Sequence, residues 1–517
     1  PAPGGRETVP TSGSQAFTSS QGGGFYRRML ASTGLYGISL LLTRTASFLL
    51  FPVYTRFLSP ADYGVLELLD LTLYAFGTLL GMRIGDALLY RWAACSSDED
   101  RSVLLSSAYW GAVLLGLVSL GCGWMLSGLL SRLVFGTKIY AGAFILMFCA
   151  FSTSLPAEVG LALARARDRS LHYLYMSAGR LLVTASLNVF FLAALRWKYE
   201  AMLWGNLIGA VVLSAASLFY IVIQGYRWTA FRPGELRRLL AYGAPLGIGG
   251  LGMLIIHYGD RFFLRQYATL ADIGIYALAY KLGMLVTNLQ TPFDTYWRAQ
   301  MFQIIKRPDG ERIYVRVCTY LALVLMAFTV FLLAFSVPLL RVLAGREFRS
   351  AAWLVPGIGF AYVVRTIGSH FRSALLLAGA PQRDAAVVWS GAGVCLAGYA
   401  LLIPRYRVWG AVLATLASFV FTLFVSLWQA QQVRWFPFEY RRMAMLLVAA
   451  APAAVSWWLV RPQGLALQLL LGTAEFVSFF LVLHLLGFAD SEEKERIAEF
   501  VRGWRGRLLS RQRAGTV

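Results

Sequence analysis

The sequence of 517 residues is poor in charge, and this scarcity limits the kind of protein it can be. Charged side chains make up 14% of it, against about 25% in typical soluble proteins, whereas 58% of its residues are hydrophobic. A soluble chain of this length needs far more charge to cover its surface. The composition therefore excludes a soluble globular protein and predicts one that is embedded in a membrane.

Cysteines and catalytic motifs are also scarce. The five cysteines show no CxxC pair and have no histidine at metal-ligand spacing, so we expect neither a disulfide nor a bound metal. They are Cys95, Cys122, Cys149, Cys318 and Cys395. No P-loop, HExxH or GxSxG motif occurs in a suitable context. We therefore expect a protein that is not an enzyme, needs no cofactor and does not itself hydrolyse ATP.

Basic residues, in contrast, are in excess, and the formal net charge is +21. In a soluble protein this would suggest nucleic acid, but Lys and Arg also concentrate in the cytoplasmic loops of membrane proteins. Clusters at 165–169 and 306–312 fall on the same side of the predicted topology. The positive-inside rule then places both termini in the cytoplasm. We expect contact with anionic membrane lipids and no nucleic acid partner.

Fourteen apolar stretches are long enough to cross a bilayer, which takes about 20 helical residues. They cover residues 31–56, 62–91, 102–131, 140–164, 171–195, 201–223, 238–264, 271–298, 313–336, 350–378, 384–403, 407–430, 442–460 and 464–487. The division near 403–407 and the last pair are less distinct, which leaves twelve as the lower bound. The prediction is an all-α polytopic membrane protein of about fourteen helices.

The two ends of the chain differ from this apolar body. Residues 1–24 are rich in Gly, Ser, Thr and Pro, which predicts a disordered tail. In residues 489–517, Asp490 and Glu493 resemble a capping box. Apolar residues then follow on one helical face, with arginines opposite. This pattern predicts a basic amphipathic helix on the cytoplasmic membrane surface.

A short motif occurs twice, at an offset of 210 residues. Residues 61–65 read Ala-Asp-Tyr-Gly-Val and residues 271–275 read Ala-Asp-Ile-Gly-Ile, and each aspartate can cap the following helix. A Trp-Gly pair recurs at 204–205 and 409–410. Both offsets link stretch n with stretch n+6, which predicts a duplicated six-helix unit. We expect two pseudo-symmetric lobes, 25–223 and 224–433, followed by two C-terminal helices in 434–488.

Residues 51–64, which read FPVYTRFLSPADYG, carry a family resemblance. They resemble the polysaccharide or O-antigen flippases of Wzx type, in the multidrug/oligosaccharidyl-lipid/polysaccharide exporter (MOP) superfamily, and the resemblance extends over about 30–487. It implies two lobes around a central cavity, alternating access and a polyprenyl-pyrophosphate oligosaccharide as cargo. It also implies the bacterial inner membrane, with polysaccharide polymerase and chain-length machinery as potential partners.

Six cationic residues fall inside the predicted spans, where a charge costs roughly 2.5–3.5 kcal/mol and should face a cavity or a partner. They are Arg44, Arg83, Arg180, Lys281, Arg365 and Arg372. One interpretation is a cationic central cavity, because guanidinium groups bind phosphate oxygens bidentately. The resemblance to lipid-linked-cargo flippases points first to Arg44. The alternative is that some of them reach the interface or form structural pairs, as Arg83 can with Asp86.

A second group of residues is a candidate for gating or coupling. Asp86 and Asp294 lie near the cytoplasmic ends of stretches 2 and 8, where they could pair with arginines across the lobes, with Arg298 as a further gate residue. Local capping or pairing is the alternative. Glu67 and Asp70 could bind a coupling cation or proton, or they could simply be solvated at the outer end.

These observations favour a flippase that moves lipid-linked oligosaccharides to the outer leaflet, with the head group neutralised by Arg44, Arg83 and Lys281. Whether the cargo is a capsular, O-antigen or exopolysaccharide repeat stays open. A drug/cation antiporter of the same superfamily is an alternative, although it would need acidic residues in the cavity. A membrane-embedded polymerase or ligase is less favoured, because no large outer loop is present.

Overall fold

The computed structural model describes residues 50–81, 83–224, 230–377, 380–433, 435–460, 464–491 and 493–495. Within these ranges every regular element is a helix, beginning with helical residues 50–57. The helices of the predicted first lobe are α1 (Pro60–Leu80), α2 (Ile84–Trp92), α3 (Asp98–Phe135), α4 (Ala141–Ala166), α5 (Ser170–Ala193) and α6 (Tyr199–Ile223). Then come α7 (Pro233–Tyr258), α8 (Asp260–Tyr267), α9 (Leu270–Gly283), α10 (Leu285–Ile304), α11 (Gly310–Leu343), a 3₁₀ helix (Arg346–Trp353), α12 (Val355–Leu377), α13 (Pro381–Val433), α14 (Tyr440–Leu459) and α15 (Leu465–Leu485).

Every predicted stretch from 62–91 onward coincides with one or two of these helices. Ten described helices are long and apolar enough to cross a membrane, or eleven if the bent pair formed by the 3₁₀ helix and α12 is one span. The all-α polytopic fold is confirmed, and the number of fourteen spans stays a prediction. The N-terminal tail, most of the first stretch with Arg44, and most of 489–517 lie outside the described residues.

Three predicted stretches are each divided into two α-helices. The second divides after Gly81, and Arg83 then takes a left-handed backbone conformation with φ 45°. The seventh divides at Gly259 and the eighth at Met284, but both residues keep right-handed helical angles, so these two divisions are slight. A helix break inside a membrane leaves backbone groups without their helical partners, and is tolerated where it is buried or lines a cavity.

The longest helix, α13, is an antiparallel pair that turns at Arg407, where φ is 48° and ψ is −121°. Its 53 residues would otherwise extend about 80 Å, far more than a bilayer requires. Across the pair, the Ser418 hydroxyl donates to the Gly391 carbonyl at 2.8 Å. A Cβ on Gly410 would lie 2.3 Å from the Leu402 carbonyl oxygen. The turn divides α13 as the sequence predicted, between 384–403 and 407–430.

Each copy of the repeated motif begins a helix with a capping box. In α1 the Asp62 amide donates to Ser59 Oγ, and the Ser59 amide donates to Asp62 Oδ2, both at 3.2 Å. In α9 the corresponding distances between Thr269 and Asp272 are 3.1 and 3.0 Å. These bonds satisfy amides that a helix start leaves unpaired. The predicted capping role of both aspartates is confirmed.

The two copies meet where α1 crosses α9. A Cβ on Gly64 would lie 2.0 Å from the Leu270 carbonyl oxygen, and one on Gly274 would lie 1.9 Å from the Pro60 carbonyl oxygen. Only glycine permits so close a backbone approach. The offset of 210 relates Gly64 to Gly274 and Pro60 to Leu270, so the contact is reciprocal. The predicted lobes are therefore in backbone contact where α1 crosses α9. We call this end of the molecule the crossing end.

The buried apolar clusters show where the predicted lobes pack together and where each lobe packs separately. The largest apolar cluster lies around the crossing and includes fully buried Leu68 of α1 and Tyr276 of α9. A second cluster surrounds Leu104 and Leu163 in the first lobe, and a third surrounds Tyr314 and Phe436 in the second. The lobes share one core at the crossing end and have separate cores at the opposite end.

Candidate functional site

A cavity of about 600 Å³ lies next to the crossing, bounded by residues of both lobes. This volume is within the usual range for a ligand site, about 300–1,000 Å³. Its apolar lining residues are Leu50, Phe51, Leu66, Leu181, Ala185, Met202, Leu282 and Leu285. Its polar lining residues are Tyr54, Tyr63, Glu67, Asp70, Thr184, Asn188, Asn206, Lys281 and Asn288. We call this space the central cavity.

Helical periodicity places the two carboxylates of the central cavity on one wall. In α1, Tyr63, Glu67 and Asp70 are spaced i, i+4 and i+7, so they share a helical face. Lys281 and Asn288, seven residues apart in α9 and α10, line the facing wall. Three residues that the sequence singled out, Glu67, Asp70 and Lys281, are therefore brought together.

Glu67 links the two lobes through ion pairs. The Lys281 Nζ atom lies 3.7 Å from Glu67 Oε2 and donates a hydrogen bond to the Tyr63 hydroxyl at 3.0 Å. The Arg261 Nε atom lies 3.3 Å from Glu67 Oε1, close enough for an ion pair but without hydrogen-bond geometry. Glu67 is buried, whereas 55% of the Lys281 side chain is exposed. Lys281 is thus the partner that a ligand in the cavity can reach.

Arg261 and Asp260 are the most deeply buried charges of this network, with 1% and 0% of their side chains exposed. The Arg261 Nη1 atom donates to Asp260 Oδ1 at 2.7 Å and to the His257 carbonyl at 3.0 Å. The guanidinium carbon lies 4.0 Å from the Tyr280 ring centroid, and Tyr276 donates its hydroxyl hydrogen to Asp260. These contacts offset the cost of burying the charge.

Arg261 was not among the cations predicted from the sequence to lie inside the membrane. The adjacent opposite charges of Asp260 and Arg261 in an apolar stretch were an available signal. Both lie near the end of the stretch 238–264, however, where a charge can equally be a boundary residue.

The other predicted cations are placed elsewhere. Among the described residues, Arg83 and Arg180 are outside the lining of the central cavity, and Arg83 pairs with Asp86 at 2.7 Å with both side chains substantially exposed. Arg365 and Arg372 line a separate cavity of about 70 Å³, beside His257. The Arg372 Nε atom lies 2.9 Å from Asp384 Oδ1. Lys281 is therefore the predicted cation that the described part of the central cavity contains.

The proposed gate residues are also dispersed. Asp86 pairs with Arg83 on its own side, and Asp294 accepts a hydrogen bond from Gln290 at 2.7 Å. Arg298 belongs to α10, but its side chain is outside the description. A cytoplasmic gate formed across the lobes stays a prediction.

Beyond the last span, a cluster of ion pairs holds the start of the C-terminal segment. Arg442 donates to both carboxylate oxygens of Glu493, at 3.0 and 3.1 Å, and lies 2.6 Å from Asp490. Tyr320 also donates to Glu493, and the Asp490 amide donates to it at 2.9 Å. Burial raises the pKa of Glu493, but these hydrogen bonds outweigh it and lower that pKa to about 2. We call this group the C-terminal clamp.

Known proteins provide an independent comparison. The sequence model of one family, described as polysaccharide biosynthesis protein, matches residues 29–295. No curated protein sequence gives a significant match. Among solved structures, the lipid II flippase MurJ in an inward closed conformation aligns at 14% identity with a TM-score of 0.68, covering 87% of this chain and 98% of MurJ.

Transporters of the MOP superfamily share the same fold. An inward-facing multidrug resistance transporter of the MATE family aligns at 14% identity and a TM-score of 0.60, over 79% of this chain and 95% of its own. A MOP transporter from Pyrococcus furiosus, described by the reverse polarity of its binding pocket, aligns at 13% identity and 0.53, over 81% and 95%. At these identities the likeness establishes the fold.

Proposed function

This chain belongs to the polysaccharide biosynthesis protein family, and from that premise we propose that it is a flippase for polyprenyl-pyrophosphate-linked oligosaccharides. The family match and the MOP fold support a membrane transporter. The motif at 51–64 supports a lipid-linked cargo. The cargo would cross the bacterial inner membrane with its lipid tail in the bilayer, and polysaccharide polymerase would receive it.

The observation that carries this proposal is the position of Lys281. Its ammonium group is exposed to the central cavity and donates a hydrogen bond to Tyr63. It also pairs with Glu67 at 3.7 Å, which is longer than the 3.3 Å between Glu67 and Arg261. A pyrophosphate brings more negative charge than one carboxylate and can displace Glu67 from Lys281. The amides of Asn188, Asn206 and Asn288 offer donors and acceptors for sugar hydroxyls.

The same contacts suggest how binding opens the lobes. The cargo would reach the cavity from the end where the lobes have separate cores. Once the cargo holds Lys281, Glu67 keeps Arg261 but loses a contact between α1 and α9. This weakens the attachment of the lobes next to the crossing and favours opening of the crossing end. Arg44, outside the described residues, remains the predicted second cation of the cavity.

A drug/cation antiporter is the second candidate, and the two carboxylates favour it. Asp70 is exposed to the central cavity, beside Glu67, and a carboxylate there can bind a cationic ligand. The two functions thus predict different essential residues in one cavity. Lys281 is essential for a pyrophosphate cargo, and Asp70 is essential for a cationic drug.

Transport in proteoliposomes tests these alternatives. We would compare a fluorescent polyprenyl-pyrophosphate oligosaccharide with a fluorescent cationic drug in the wild type, Lys281→Ala, Lys281→Arg and Asp70→Asn. Lys138→Ala is the matched control, because Lys138 is exposed in the connection between α3 and α4. We expect Lys281→Ala to lower saccharide transport at least about tenfold, Lys281→Arg to restore part of it and Lys138→Ala to leave it unchanged.

Two results would contradict the flippase proposal. If Lys281→Ala transports the saccharide as well as Lys138→Ala does, the role of the central cavity in flipping is wrong. If the wild type moves only the drug and Asp70→Asn stops it, the protein is an antiporter.

A further inference from the structure

A second cavity of about 600 Å³ lies in the C-terminal half, between α11, the 3₁₀ helix, α14 and α15. It is at the crossing end, since Phe348 of the 3₁₀ helix packs against Tyr63 of α1 with ring centroids 5.7 Å apart. It shares no lining residue with the central cavity. We call it the outer cavity, because the positive-inside rule places the crossing end outside.

One face of α15 turns polar groups into this cavity. Gln468, Gly472 and Glu475 are spaced i, i+4 and i+7, and all three line it. Gly472 sets this rotation, because its Cβ position would be 2.7 Å from the Ala334 carbonyl oxygen of α11. Pro338 has no amide hydrogen to give that carbonyl, so the Ala334 oxygen loses its usual helical partner. The seam between α11 and α15 is therefore polar although it lies among apolar helices.

Glu475 is the residue that indicates a ligand. It is 6% exposed, and a carboxylate so buried in an apolar helix is costly unless it is fully hydrogen-bonded. Ser456 hydrogen-bonds the carboxyl group. Within the described ranges, its buried Oε1 atom has no hydrogen-bond partner. The buried Trp457 Nε1 donor, which also belongs to the cavity wall, has none there either.

An acceptor and a donor that both lack partners in one cavity define the chemistry of the missing group. A hydroxyl can donate to the carboxylate and accept from the indole at the same time. The Trp353 and Trp457 rings, with centroids 4.6 Å apart, add the apolar surface that the C–H face of a polyol requires. Arg341 and Arg349 add positive charge, and Arg349 is exposed at the rim.

We propose that the outer cavity binds a hydroxylated anionic headgroup, a polyol phosphate, whose hydroxyls contact Glu475 and Trp457 and whose phosphate contacts Arg349 and Arg341. Such a headgroup can come from a bilayer lipid of the phosphatidylglycerol type or from a polyprenyl-phosphate sugar. The site is independent of the proposed transport through the central cavity. It would hold a lipid against α14 and α15 on the outer side of the membrane.

Binding to the full-length protein, measured by native mass spectrometry, tests this site. The probes are phosphatidylglycerol, phosphatidylcholine with the same acyl chains and no hydroxyl donor, and a polyprenyl-phosphate monosaccharide. We expect a hydroxylated probe to bind about tenfold more tightly than phosphatidylcholine, and Glu475→Gln and Arg349→Ala each to weaken it about tenfold. Arg346→Ala is the matched control, exposed on the same 3₁₀ helix but outside the lining.

The three probes and the variants distinguish the two sources of the headgroup from a failure of the proposal. Whichever hydroxylated probe loses affinity in both variants, and not in Arg346→Ala, identifies the source of the headgroup. Equal binding of all three probes, or binding that neither variant changes, would overturn the proposal. Lys281→Ala should leave this binding intact, so a failed flippase assay and a failed outer cavity give different results.

Discussion

At the scale of single residues, Arg261 is the charge whose loss the protein should tolerate least. Replacing one partner of a buried ion pair leaves the other charge unpaired, which typically costs about 3–5 kcal/mol. We therefore expect Arg261→Met to lower the free energy of unfolding in detergent by about that amount, because Asp260 loses its ion-pair partner and Glu67 keeps only the longer contact with Lys281.

The matched control is Arg83→Met. Arg83 also pairs with a carboxylate, but its side chain is 51% exposed, and exposed pairs contribute at most about 1 kcal/mol. Denaturant unfolding of both variants decides the matter. Equal losses would show that the network around Arg261 does not stabilise the fold.

Glu493 makes the C-terminal clamp sensitive to pH. Its pKa is lowered from 4.5 to about 2, so the folded clamp favours the ionised form. The resulting stability is fully present above pH 4.5 and is lost as the pH falls towards 2. After correction for the intrinsic exchange rate at each pH, we expect the protection of the peptide around Asp490 to fall over that interval in the wild type. Glu493→Gln should exchange fast at every pH, and a wild type that stays protected at the lowest pH would contradict the assignment.

The sequence identified some of these residues and missed others for physical reasons. Lys281, Glu67 and Asp70 were evident because each is a charge within an apolar stretch. The pattern could not show that Arg365 and Arg372 line a different cavity, since that depends on how each helix is rotated against its neighbours. Glu475 was also a lone charge in an apolar stretch, but only the surrounding helices reveal the cavity that it faces.

At the scale of helices, the crossing of α1 and α9 depends on two glycines. A methyl group on Gly274 would overlap the Pro60 carbonyl oxygen, a backbone atom that cannot move aside alone. We expect Gly274→Ala to separate the lobes at this end. Positions 138 and 346 are exposed on opposite lobes at the crossing end. Spin labels at these positions should be farther apart in Gly274→Ala than in the wild type, as measured by pulsed electron paramagnetic resonance.

Gly121→Ala provides the control, because a Cβ there meets nothing within 4 Å. Its label distance should equal that of the wild type. If Gly274→Ala leaves the distance unchanged as well, the crossing adapts to a side chain and glycine is not required.

Helix positions were largely predictable, whereas helix breaks were not. Stretch length and hydropathy sufficed to locate the helices, because a membrane requires about 20 apolar residues of each span. The left-handed break at Arg83 interrupts a stretch that reads as continuous in the sequence. The turn at Arg407 is the exception, since the sequence already divided two stretches near 403–407, although less distinctly than elsewhere.

At the scale of the whole molecule, the orientation in the membrane follows from the distribution of positive charge. The positive-inside rule predicts that Arg307 faces the cytoplasm and Lys138 the outside. Both residues are exposed, so a cysteine at either position can react. In a variant without native cysteines, we expect an impermeant maleimide to label Lys138→Cys in intact cells and to label Arg307→Cys only after permeabilisation. The reverse pattern would invert the topology and place the outer cavity on the cytoplasmic side.

The reciprocal contact at the crossing has an evolutionary consequence. When residue 64 approaches residue 270 and residue 274 approaches residue 60, the two halves are related as the subunits of a two-fold dimer are. One six-helix unit would carry both sides of such a contact on its own surface. An ancestor of half the length could therefore have assembled as a symmetric homodimer, and fusion of two copies would have freed each half to diverge. The carboxylate of Glu67 on one side of the cavity and the ammonium of Lys281 on the other form an asymmetric pair that two identical subunits could not provide.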